Sequence, residues 1–220
     1  MQLSVLRTWG KQVTLDTPGI GRKLTTWALA LLLLSACDVV KLDRDGKPII
    51  PADPSAGPDY SDQTPQQIAQ EFWGPKVMPA AHGQALDWPA VKQAQGKLNS
   101  TDTKSVYSKF SAKVAAVDAD GMERKLTLNV NGDTVLVQLG PVIKGNAVRD
   151  AAGFIRFEDF KNQVQFAQVS RALNKQALSG LPAIDASWVG QPVDVLAAFT
   201  LSHGSIDDGV ALEIKRGASQ

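Results

Sequence analysis

The chain is poor in the side chains that carry metal and redox chemistry. Its 220 residues include one cysteine, Cys37, and two histidines, His82 and His203. A single cysteine allows no disulfide within one chain. A zinc centre draws three or four convergent His, Cys or carboxylate ligands; no such spacing is present, and the sequence gives no reason to expect a metal or other cofactor. Charge of one sign is missing too, with 23 Lys and Arg against 22 Asp and Glu. Without a basic excess there is no electrostatic footprint for nucleic acid. Long apolar runs are equally scarce. Trp27 to Leu34 is entirely apolar, yet far short of the roughly 20 residues a membrane-spanning helix takes.

What that short run does resemble is the core of a signal peptide. Arg22 and Lys23 precede it and Leu34-Ser35-Ala36-Cys37 follows it, a layout of charge, apolar core and small residues. Leu-Ser-Ala-Cys resembles the lipobox, at which a diacylglyceryl group is attached to the cysteine sulfur before cleavage. The one thiol of the chain therefore stands where a lipidated cysteine should be. Two or more acyl chains anchor a protein stably, at about 0.8 kcal/mol per buried methylene. Asp38 resembles the residue that retains enterobacterial lipoproteins in the inner membrane. The expected address is the periplasmic face of that membrane, with lipidated Cys37 as anchor and Met1 to Ala36 removed. The stretch before Arg22 is long for such a leader and contains Pro18, Gly19 and Gly21, so the start codon is left open.

Removal of Met1 to Ala36 takes away four basic residues and one acidic one, leaving 184 residues of net charge −2. Residues 37–63 read as a flexible tether, with Pro48, Pro51, Pro54 and Pro58 breaking any regular pattern. Asp43-Arg44-Asp45-Gly46 has the opening of a calcium loop without its later ligands, and reads as a turn. Residues 64–110 read as a helical segment. Thr64-Pro65 opens a first helix ending near Pro79, and Asp87-Trp88-Pro89 opens a second, to about Leu98. Trp73 and Trp88 read as core, with a binding shelf as the alternative.

From Ser111 the apolar period changes from helical to alternating. Residues 113–117, 125–130 and 134–139 read as three strands, separated by Asp118-Ala119-Asp120-Gly121 and Asn131-Gly132-Asp133. Residues 140–157 are irregular. Asn162 to Leu178 places Phe166, Val169, Leu173 and Ala177 on one helical face and stops at Gly180. Two further strands are expected at 192–201 and 210–215. The class is thus α+β, mainly β. Residues 111–220 have the element order of an OB-fold, a five-stranded antiparallel barrel with a helix between strands three and four; an open meander with a packed helix has the same order.

Three polar segments bear on function. Gly140 to Asn146 follows a strand as a phosphate loop would, but Asn146-Ala147 stands where Lys-Ser/Thr is needed, so a glycine-bracketed turn is expected. His203-Gly204-Ser205 with Asp207 and Asp208 has the side-chain types of a hydrolase triad crowded into one loop, and reads as a hairpin, since triads are recognised by geometry. The third segment clusters Lys144, Arg149, Asp150, Arg156, Glu158 and Asp159 about Phe154, Phe157 and Phe160. It reads either as a loop pinned by its phenylalanines or as a ligand or partner site. The candidate residues are Gly140, Lys144, Gly145, Arg149, Asp150, Phe157, Phe160 and Asn162.

Several stretches then resemble a family of predicted periplasmic lipoproteins of unknown function: Phe72-Trp73-Gly74-Pro75-Lys76-Val77-Met78-Pro79; Gln138 to Gly145 with Ala147-Val148-Arg149-Asp150; and Phe157 to Val164 running into Ala172-Leu173-Asn174. The resemblance implies an OB-like domain, and a gene often beside ribose-type sugar ABC transporters. It carries over no catalytic residue. The expectation is a non-enzymatic, lipid-anchored binding or scaffolding protein, accessory to a sugar ABC uptake system. Two alternatives stand beside it: a small cell-envelope hydrolase using the Gly140–Phe160 loop, and a structural envelope protein binding peptidoglycan.

Overall fold

A computed structural model describes residues 59–217. The signal segment, Cys37, Asp38, the Asp43–Gly46 turn and the tether up to residue 58 lie outside the described residues. The end of the expected tether does not: Tyr60 is buried, and its N–H bonds the Asp159 carbonyl at 3.0 Å.

Helix α1 (Pro65–Phe72) starts at Thr64, whose hydroxyl accepts the Gln67 N–H while the Gln67 side chain accepts the Thr64 N–H. This reciprocal cap satisfies two otherwise orphaned donors. The chain does not stop near Pro79. It widens into a π-helical turn (Trp73–Val77) and continues as α2 (Met78–Gln84). Pro75 lies inside the wide turn, closed by the Met78 N–H to the Trp73 carbonyl. Pro79 falls in the first turn of α2, where a missing N–H is tolerated. Helix α3 (Trp88–Gly96) is capped by Asp87, which accepts from the Ala90 N–H at 2.9 Å.

The helical segment ends there. Strand β1 (Thr103–Asp118) begins eight residues before Ser111, followed by β2 (Lys125–Val130), β3 (Asp133–Gln138), β4 (Pro192–Ser202) and β5 (Ser205–Arg216). Their hydrogen-bonded order is β1-β2-β3-β5-β4, and β1 closes the ring by pairing with β4 from Thr103↔Ser202 to Lys113↔Pro192. The sheet is not wholly antiparallel. Both β3 and β5 run in the direction of β1, so the seam between them, at Gln138↔Val210, is parallel. An odd number of strands closed into a ring with otherwise antiparallel neighbours must contain such a seam.

A short helix, α4 (Ala147–Ala151), interrupts the segment expected to be irregular, and α5 (Gln163–Ser179) lies between β3 and β4. Two cores result. Inside the ring, Val114, Leu126, Leu128, Val137, Phe199 and Leu201 pack with Trp88 and Trp188. Outside it, Ile68, Phe72, Val148 and Leu173 of the helices pack on Tyr107, Leu196 and Val210 of the sheet. Trp88 is therefore core, with its ring 5.3 Å from Phe110. Trp73 packs half-buried on the other cluster, so the two tryptophans form no common shelf.

Trp88 also reaches the turn between β2 and β3, where its Nε1–H donates to Asp133 at 2.8 Å. That hydrogen bond, aided by Lys92, holds the Asp133 carboxyl below the usual carboxylate range. A depressed folded-state pKa contributes stability that is present above the unfolded value, about 3.9, and is lost as pH falls through the folded one. Asp133→Asn should thus be less stable than wild type at pH 6, with the difference shrinking in urea unfolding as pH falls below the ordinary carboxylate range and the Asp133 carboxyl protonates. A constant difference across that range would assign the effect to shape and not to charge.

Candidate functional site

The candidate residues do not form one group in space. Gly140 and Lys144 face the β1–β2 loop. A Cβ on Gly140 would lie 2.4 Å from the Met122 carbonyl oxygen and 2.5 Å from the Arg124 nitrogen, so its missing side chain serves a close backbone approach. Lys144 pairs with Glu123 at 2.8 Å on the surface, which lowers the Glu123 pKa. Gly145 has φ +84°, the left-handed region that favours glycine, and its carbonyl accepts from Asn174 Nδ2 at 3.2 Å. Asn162 is a helix cap, accepting the Gln165 N–H at 2.9 Å.

The remaining four, Arg149, Asp150, Phe157 and Phe160, converge on Phe166 of α5 or on each other's partners. Helix α4 delivers Arg149, which is only 8% exposed. A buried cation is costly unless paired. Here Nε donates to Asp150 at 2.7 Å, Nη1 donates to the Phe166 carbonyl at 3.4 Å, and the guanidinium carbon lies 3.8 Å from the Phe166 ring centroid. The cation rests on the ring's negative face. Phe160 is buried, stacked on Tyr60 at 5.7 Å and tilted against Phe166 at 5.3 Å.

Phe157 behaves differently. It opens the 3-10 turn Phe157–Asp159 and stays 52% exposed while its ring meets Phe166 edge-on at 5.6 Å. Arg156 clamps that turn, with Asp159 at 3.2 Å and Glu158 at 3.7 Å. The result is one half-exposed aromatic ring on a braced turn, where Arg149 and Asp159 are buried and their partners Asp150 and Arg156, with Glu158, are the exposed charges. An exposed aromatic beside charged groups that already have partners is compatible with a contact surface. Val164, 64% exposed at the start of α5, lies seven residues after Phe157.

Tyr60, Phe166 and Gln165 were not among the sequence candidates. Gln165 is buried and donates from Nε2 to the carbonyls of Tyr60 and Gln63, each at 2.9 Å, while its Oε1 accepts the Lys161 N–H. It ties the entering chain to α5. Among the described side chains His203, Ser205 and Asp207 form no triad: His203 Nδ1 lies 3.1 Å from the Leu98 carbonyl, while the Ser205 hydroxyl bonds Asp207. Among the described residues no cluster of three or more His, Cys, Asp or Glu is placed to hold a metal ion.

Residues 27–213 match the family described as predicted periplasmic lipoprotein (DUF2291). The chain belongs to this family. The DUF2291 match includes Cys37, Asp38 and every residue of the aromatic cluster. A solved OB-fold protein from Thermotoga maritima is similar in structure, with TM-score 0.51 and 18% identity over 70% of this chain and 98% of that one. At that identity the likeness concerns the fold alone. No curated protein matches the DUF2291 chain.

Proposed function

We propose that this DUF2291 lipoprotein is a non-enzymatic binding and scaffolding module, anchored through acylated Cys37 on the periplasmic face of the inner membrane, where it serves a sugar ABC uptake system. The observation that carries the reading is the Phe157 surface. A half-exposed ring, backed by Phe166 and next to charges that are already paired, suits contact with another protein, because its rotamer is already restrained and little freedom is lost on docking. Tyr60 adds a geometric argument. The chain enters the domain hydrogen-bonded to Asp159 of the same turn, and 22 residues separate Cys37 from Tyr60. At about 3.3 Å per extended residue, such a tether keeps Phe157 within reach of a permease in the same membrane. Asp38, next to the acylated residue, supplies the retention signal.

The test has two arms. Cys37→Ser should move the protein from the membrane to the soluble or uncleaved fraction, and intact mass should show an acylated chain beginning at Cys37 in wild type alone. Wild type purified in mild detergent should bring a sugar permease with it, and Phe157→Asp should lose the permease while remaining folded and membrane-bound. Retention of the permease by Phe157→Asp, or a wild-type chain that is unacylated and uncleaved, would overturn the reading.

A further inference from the structure

Two open grooves run along the outer face of α5. One, of about 480 Å³, lies between α5 and α1 and is lined by Gln66, Gln70, Gln168 and Gln176 together with Arg171 and Lys175. The other, of about 720 Å³, lies between α5 and residues 141–143. It is lined by Val142, Ile143, Asn174 and Leu178, and again by Arg171 and Lys175. Both volumes fall in the range of small-ligand sites. The two cations stand four residues apart, hence on one face of the helix, and form the ridge that both grooves share.

Among the described residues this charge is uncompensated. No Asp or Glu lines either groove, α5 contains no acidic residue in Gln163–Ser179, and neither Arg171 nor Lys175 has an ion-pair partner among the described residues. A concave surface with cations of one sign attracts an anion. The four glutamines add carboxamides, each of which both donates and accepts, as sugar hydroxyls do. Val142, Ile143 and Leu178 offer an apolar wall for the C–H face of a ring.

A separate observation points the same way. Asn174 is 3% exposed and lines the second groove; its Nδ2 is held by the Gly145 carbonyl, while its Oδ1 has no hydrogen-bond partner. A buried acceptor left without a donor is costly; Oδ1 itself is buried from solvent, so a hydroxyl arriving at this groove would supply a donor once the Asn174 side chain turns toward it.

We propose that the Arg171–Lys175 ridge of α5 binds an acidic oligosaccharide, with its acid group on the ridge and a sugar ring in each flanking groove. This deepens the binding-module reading by naming a ligand class, at a surface separate from Phe157 and independent of the anchor.

Calorimetric titration of the full chain in detergent with trigalacturonate, maltotriose and inorganic phosphate tests it. Trigalacturonate should bind saturably, and maltotriose and phosphate about tenfold or more weakly, since a charge-assisted contact adds to the hydroxyl contacts only in the acidic sugar. Arg171→Ala with Lys175→Ala should weaken trigalacturonate by about tenfold or more. Lys175→Gln alone, an exposed change on a helix that tolerates glutamine, guards against a folding defect in the double variant, and Lys144→Ala should change nothing. Equal binding of maltotriose, phosphate binding as tight as the sugar, absence of trigalacturonate binding at millimolar concentrations, or an unaltered double variant would each overturn the proposal. Loss of permease co-purification would leave this titration unchanged, so the two readings fail separately.

Discussion

Replacing Phe199 by alanine should cost about 3–5 kcal/mol of stability, the range for truncating a buried aromatic, and lower the melting temperature by roughly 10 °C or more for a domain of this size. Phe199 is fully buried on β4 at the centre of the ring interior. Its ring lies 6.0 Å from Phe110 on β1 and 6.1 Å from Trp88 on α3, so one side chain joins two strands to helix α3. Truncation removes both aromatic contacts, each worth about 0.5–1.5 kcal/mol beyond area, and opens a cavity that three rigid elements cannot close. Calorimetric or urea unfolding reads the loss directly. Phe157→Ala, at a half-exposed site, is the control and should shift stability by about 1 kcal/mol or less. Comparable losses from the two variants would mean that the barrel interior is not organised around the Phe199 ring.

The hairpin of β2 and β3 was the most legible part of the fold in the sequence. Leu126, Leu128 and Val130 alternate with polar residues, Val135 and Val137 answer them, and Asn131-Gly132 takes φ +53° and +95° between paired Val130 and Asp133. A two-residue turn with both φ positive is what Asn-Gly favours. Strand β1 was legible only in its second half. Val106, Tyr107 and Ser108 are buried in succession, because Val106 faces the ring interior while Tyr107 faces the helix layer and donates its hydroxyl to the Val148 carbonyl at 2.9 Å. Ser108 is covered by the Leu86 bridge, its hydroxyl bonding the Leu86 carbonyl. A strand buried on both faces loses the period-two signal, so its polar first half read as a continuation of the helical segment. Strand β5 was read short for a related reason: Ser205, Asp207 and Asp208 leave Ile206 as a lone apolar residue there, yet a tight turn at His203-Gly204 brings Ser205 to Asp207 into pairing with β4.

Within the candidate site, the Arg149–Asp150 pair and the two phenylalanines were found by their crowding in sequence. The separation of Gly140 and Lys144 from them was not legible. Those residues leave β3 toward Glu123, whereas α4 turns Arg149 back onto α5, and which side of a barrel a loop falls on depends on strand order. Phe166 was read from helical spacing as a core residue. Its other role, as the face on which Arg149 rests, depends on a contact across 17 residues that no periodicity encodes. The Arg171–Lys175 ridge had a signal that went unused: a 17-residue helix with two cations and no acid.

Gly209→Val should damage the parallel seam more than any other single substitution there. Gly209 precedes Val210, the residue that pairs with Gln138 across β3 and β5. A Cβ at Gly209 would lie 2.3 Å from the Leu136 carbonyl oxygen and 2.8 Å from Cε1 of Phe199. The ring could tilt at a cost, but the carbonyl belongs to β3 and moves only with that strand. The position needs no left-handed backbone, since no positive φ is recorded for Gly209; what excludes a side chain is the approach of two strands where β4 and β5 slip register between Ala198 and Thr200. Overpacking a tight core costs about 1–3 kcal/mol and sometimes more, and contact with backbone puts this variant at the upper end or beyond. Gly209→Ala should already destabilise measurably. Hydrogen exchange distinguishes the causes: if closure is lost, amides of β3 and the first half of β5 should lose protection while the β1–β4 pairing keeps it. A uniform loss of protection would mean that the ring opens as one unit. Combining Gly209→Ala with Phe199→Ala supplies the last step, because removing the ring removes one of the two clashes. The pair should therefore cost less than the sum of the single substitutions, and strict additivity would place the whole penalty on the Leu136 carbonyl.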